Sequence, residues 1–121
     1  MNKMSETEQK IKNVLDDVVK LTGGSYFFDS SLYGMGFQLS WLRPLLQYPP
    51  DYHLGVVIAD YGNDVVYVAC GLTKPGFIPQ QLFSKEIGLL RVQEVDLHSI
   101  VIDAYDLLNN KCDDEMAKKV K

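Results

Sequence analysis

Cysteine and histidine are scarce in this chain of 121 residues, with two of each. His53, Cys70, His98 and Cys112 show none of the short spacings from which zinc sites are built, so no metal ligand set is expected. A disulfide scaffold is excluded as well. Cys70 falls in a strongly apolar stretch and Cys112 in a polar one, and two free thiols in a reducing, cytoplasmic compartment is the simpler account. No apolar run approaches the roughly 18 residues that span a bilayer, and Met1 to Lys12 is too polar for a secretory leader. Positive charge is the other deficit. Twelve Lys and Arg stand against 16 Asp and Glu, a net charge of −4, and no basic cluster offers itself to phosphates, which argues against nucleic acid and anionic membrane surfaces.

What is present is an apolar fraction of 46%, enough to pack the core of one domain over residues 1–121, with ordinary glycine and proline. Ser5 and Glu8 fit a capping box, and Ile11, Val14, Leu15, Val18 and Val19 recur at helical spacing, which predicts an amphipathic helix over 5–22 stopped by Gly23 and Gly24. Tyr26 to Phe28 reads as a short strand. Phe37, Leu39 and Trp41 alternate with polar neighbours as a half-buried strand does, although Ser40 also fits the cap of a short helix over 41–46; Pro49 and Pro50 end either element.

Residues 53–71 are dense in β-branched side chains around Asp60-Tyr61-Gly62-Asn63-Asp64 and predict a hairpin. With Gly62 and Asn63 as the turn, Ile58 pairs with Tyr67 and Gly55 with Cys70. Both faces of this pair are apolar, which implies a central position with cover on both sides or a dimer partner on one. Pro79 to Glu86 suggests a short helix and Leu90 to Val95 an edge strand. A last helix is expected over 96–109, capped by Asp96 and ended by Asn109 and Asn110, with 111–121 a frayed charged tail. The fold expected is α+β, a central antiparallel sheet of about four to five strands packed by an N-terminal and a C-terminal helix.

Candidate chemistry is thin. In the hairpin register above, His53 lies diagonally from Cys70 on one sheet face, where a thiol and an imidazole oriented by Asp29 or Asp51 would form a nucleophilic pair; the Gly34–Gly36 loop would border that pocket, accommodating a small ligand or a substrate. Gly34-x-Gly36 lacks both a third glycine and a following helix, so no nucleotide cofactor is expected. Cys70 amid Val66-Tyr67-Val68-Ala69 reads more simply as an inert core thiol.

Protein contact is better supported. Asp103, Asp106, Asp113, Asp114 and Glu115 stand against Lys111 alone in 103–115, and Tyr33, Trp41, Tyr48, Tyr52 and Tyr61 are of the kind enriched at interfaces. The expected function is therefore that of a small acidic module binding a basic protein, such as an immunity-type inhibitor of a bacterial toxin or nuclease, with no enzymatic activity and no cofactor. A secretion chaperone and a structural homodimer joined through the apolar hairpin are the competing expectations.

Overall fold

The computed structural model describes residues 6–29, 36–43, 52–74 and 77–119. The chain runs α1 (Glu6–Thr22), β1 (Ser25–Asp29), β2 (Gly36–Arg43), β3 (Tyr52–Gly62), β4 (Val65–Lys74), β5 (Gln80–Arg91) and α2 (Leu97–Lys119). Each strand pairs antiparallel with the next, in the order β1-β2-β3-β4-β5, and both helices lie on the same face of this meander. The α+β architecture expected from the sequence is therefore present, with five strands.

The helical spacing of α1 becomes a buried stripe, since Ile11, Leu15 and Val18 have no exposed surface. Gly23, at φ 79°, ends the helix by donating its N–H to Val19 O at 2.9 Å, a left-handed termination that a side chain disfavours. At Gly24 the reason for glycine is room: a Cβ there would stand 2.5 Å from the Trp41 indole nitrogen. Trp41 uses that space to donate Nε1–H to Thr22 Oγ1 at 2.7 Å, and its ring tilts against Tyr105 of α2, 4.6 Å between centroids.

The alternation of β2, β3 and β4 sends Phe37, Leu39 and Trp41, then Tyr52, Leu54, Val56 and Ile58, then Val66, Val68, Cys70 and Leu72 to the helix-covered face, where all are buried. Their register departs from the sequence reading by one residue. Asn63 and Asp64, both in the left-handed region, form the two-residue turn, and a bulge between Asp60 and Gly62 absorbs the shift. Val56 thus opposes Cys70, and Gly55 opposes Gly71. The apolar sets of the two strands fall on one face only in this register, and burial selects it.

Two further expectations are corrected. Pro79 to Glu86 is no helix: 80–91 forms β5, because β4 carries a full edge of backbone donors and acceptors whose pairing outweighs local helix preference, and Leu90 to Val95 supplies only the end of that strand before Glu94 N–H turns back to Arg91 O. Nor does the last helix stop at Asn109 and Asn110. It runs on to Lys119, because Cys112 continues the buried series Leu97, Val101, Ala104 and Leu108, and Met116 packs beyond it. Asn109 is held inside the helix, its amide donating to Tyr105 O at 3.0 Å while Arg43 of β2 donates to Asn109 O and Oδ1 and pairs with Asp113 at 2.9 Å.

Asp96 caps α2 as its position in the sequence suggests, accepting from the backbone of His98 and from the Ser99 hydroxyl. The alternative helix over 41–46 is corrected where it is described, since Ser40 to Arg43 belong to β2; its residues 44–46, Ser5 as the other proposed cap, and the Pro49-Pro50 stop lie outside the described residues. Asp64 ties the hairpin tip to the rest of the molecule. Its carboxylate accepts from the Thr7 hydroxyl at 2.5 Å and from the Gln93 amide, and its carbonyl accepts from Val92 N–H.

The Thr7 hydroxyl, followed by Lys10 and Gln93, holds the Asp64 carboxyl below its ordinary value of 3.8. A depressed acid stabilises the fold above the unfolded value and loses that contribution as the pH falls through the lower folded one. Asp64→Asn keeps the turn preference and removes the titration, so thermal melts of the variant between pH 5 and about 2 should fall less steeply than those of the parent. A chain ended after Asn110 loses the cover given by Cys112 and Met116 and should unfold in urea with a stability lower by about 2 kcal/mol or more.

Candidate functional site

Among the described residues two surfaces face away from the packed layer between sheet and helices, on opposite sides of it. One is the side of α2 turned away from the sheet. At 100° per residue, Asp103, Asp106, Asp113 and Asp114 fall within an arc of roughly 100° opposite the buried series from Leu97 to Cys112, and all four are exposed. Glu115, the fifth acid expected there, turns toward the sheet, half-buried and paired with Lys118 at 3.1 Å. Lys111 places its Nζ 5.0 Å from the centre of the Phe83 ring. Lys111 and Lys118 thus contact Phe83 and Glu115 beside Asp114, with which they line one shallow pocket, and Arg43 pairs with Asp113.

The other surface is the sheet face without helices. Cross-strand registers align Ser40, Gly55, Gly71 and Ser84 in one row across β2 to β5, beside a row of Gln38, Val57, Ala69 and Glu86. The low row makes a shallow groove of about 380 Å³, closed at one end by His53, Thr73 and Gln81. Gln81 lies over Gly71, donating its amide to Phe83 O at 3.0 Å, whereas a Cβ on Gly55 would meet nothing nearer than 3.8 Å. Phe27, Leu42 and Leu89 stand around this floor, each more than half exposed. Sequence reasoning reached this face only as the second apolar side of the hairpin, needing cover or a dimer partner; that its small residues at 55, 69 and 71 form a groove required the register.

The aromatic residues expected at an interface divide. Trp41 and Tyr52 are buried and hold the core together, so they meet no partner in this fold, a correction that follows from their place on the helix-covered alternation of β2 and β3. Tyr61 is half exposed at the end of β3, its ring stacked near that of Tyr67 with centroids 6.2 Å apart. Tyr33 and Tyr48 lie outside the described residues. The acids and Tyr61 do not merge into one patch.

The thiol and imidazole pair does not form. The one-residue change of register puts Cys70 on the helix-covered face opposite Val56, and leaves His53 exposed on the open face opposite Thr73. Gly36 opens β2, Asp29 closes β1, and Gly34 and Asp51 lie outside the described residues. Burial pushes the Cys70 thiol up from its ordinary value, with Lys85 opposing weakly, and burial does the same to Cys112. Both are protonated at neutral pH, the state of a small core side chain and not of a nucleophile. His98 sits half-buried in the first turn of α2, and among the described residues no three His, Cys, Asp or Glu converge as a metal site would need. No helix among them is long and apolar enough to cross a membrane.

Neither thiol should react with iodoacetamide at pH 8 in the native protein, and both should react at once in denaturant; rapid native labelling of Cys70 would restore the nucleophile reading. No family model matches the chain, and neither a curated protein nor a solved structure shows significant similarity to it.

Proposed function

We propose that this chain is a small acidic protein-binding module that engages a basic protein through the outward stripe of α2, acting as an inhibitor of the immunity type that covers a toxin or nuclease. One observation carries the reading: the stripe is built from aspartates where a covering helix gains nothing from them. Asp is among the weaker helix formers, less favourable than Ala by up to about 0.7 kcal/mol at each position, and Glu or Lys keeps a helix face wet at lower cost. Acids stabilise a helix in its first turn, yet α2 has none there. Asp103, Asp106 and Asp114 are all deeper in the helix and make no ion pair among the described residues, although Lys85 borders Asp103 and Lys111 and Lys118 border Asp114. Local choices that weaken an element without a packing return mark a surface retained for contact.

An acidic stripe on a protein of net charge −4 steers a basic partner toward it and raises the rate of encounter. The wider surface supports inhibition by coverage, since a helix face is rigid and presents its charges at fixed spacing.

Replacing Asp103, Asp106 and Asp114 together by Ala leaves Asp113 free to hold Arg43 and should raise the unfolding free energy by about 1–2 kcal/mol. The same variant should lose its basic partner, captured by the parent from extracts of the native cell, with affinity at least tenfold weaker and a reduced dependence of association on salt. An undiminished complex, or a variant less stable than its parent, overturns the reading.

A further inference from the structure

We propose that the uncovered face of the sheet seats a second copy of this chain, making a twofold dimer of face-to-face sheets with the two α2 stripes pointing away from each other. The face is suited in area. Five strands about 4.8 Å apart and about eight residues long at 3.4 Å each cover roughly 650 Å² in projection, and side-chain relief adds to this. A standard interface buries about 800 Å² on each partner, so the sheet face alone comes close to one side of a stable dimer.

Charge selects a second copy over a basic partner. The 121-residue chain carries 28 charged side chains, yet the described side chains on this face include only Glu86 and Arg91 as formal charges, of opposite sign, with Asp29 at the β1 margin by register. A basic protein finds no acid excess there. Two copies of net charge −4 meet with least repulsion through the face that is nearly neutral, and with their aspartate stripes farthest apart.

The two charges also set the geometry. Glu86 opposes Ala69, and Arg91 opposes Val65, so both project from the open side of β5 and are exposed. Five residues of strand separate them by roughly 17 Å, too far to pair within one chain. A twofold axis lying between the sheets and across the strands, passing between Gly88 and Leu89, lays β5 antiparallel over the partner's β5. Glu86 of each copy then faces the partner's Arg91, twice by symmetry, and Leu89 and Tyr67 lie beneath the axis as an apolar centre beside Ala59, which is already buried within the chain. Neighbouring sheets packed this way interdigitate at about 10 Å, which the small side chains of the low row permit.

Charge exchange across the symmetric pair tests this on the full chain. Sedimentation equilibrium of the parent should give twice the chain mass of 13.7 kDa. Glu86→Arg and Arg91→Glu, each alone, set like charges opposite and should weaken dimerisation at least tenfold while circular dichroism and the melting temperature of the isolated chain are unchanged. Both changes in one chain exchange the charges and should restore the dimer. A parent that sediments as 13.7 kDa overturns the proposal, as does a dimer indifferent to the single changes or a double variant that stays monomeric. None of these outcomes bears on the α2 stripe, whose contact is read by capture of a basic protein.

Discussion

The structure depends on one constraint: among the described residues the sheet carries helices on a single side, so the two-residue period of each strand divides its side chains between an interior and an opposite face. Leu54, Val56 and Ile58 meet Val68, Cys70 and Leu72 beneath α1 and α2 only if the hairpin pairs as it does. A slip of one residue would turn one strand over relative to the other, setting Ala69 and Gly71 opposite Val56 and Leu54 and sending Val68, Cys70 and Leu72 to the other face. Burial of several fully enclosed aliphatic side chains at about 1.5–3 kcal/mol each far exceeds what any turn type contributes, and the turn therefore yields to the register by adding a bulge.

Polar ties then hold the helices to that sheet at separate places, among them the Tyr26 hydroxyl of β1 donating to Asp16 of α1. Trp41 reaches the end of α1 through Thr22, Arg43 reaches the middle of α2 through Asn109 and Asp113, and Asp64 joins the hairpin tip to Thr7 and to the turn that follows β5. Each begins on a strand or, for Asp64, in the turn between two, and ends on an element distant in sequence. The Arg43 contacts, to Asn109 and Asp113, are the ones that reach α2, at the middle of the helix that carries the aspartate stripe. The stripe and the open face look in opposite directions, one charged and one nearly neutral, and that separation allows a chain to meet a copy of itself on one side and a basic protein on the other.

The thiol and histidine pairing fails for the same reason the core succeeds. Cys70 belongs to the apolar alternation of β4 and is carried inside with it, while His53 belongs to the opposite parity of β3. Parity in a strand is settled by the whole set of its neighbours, and a single reactive side chain has no influence over it.

Much was legible in order. Local signals determined α1, its glycine stop, the alternation of Phe37, Leu39 and Trp41 though not where that strand ends, the existence of the hairpin, the cap at Asp96 and the α+β class, because each rests on spacing or conformational preference within a few residues. What only the tertiary structure decided was long-range: that 80–91 is a strand, since β4 offers it an unpaired edge; that α2 continues past Asn110, since Cys112 and Met116 find the core; and that Trp41 and Tyr52 are interior. The open face belongs to the second kind. Gly55, Ala69 and Gly71 are plain in the sequence, but they become a surface only when pairing sets them in adjacent rows, because hydrogen bonding between strands and not proximity along the chain makes them neighbours.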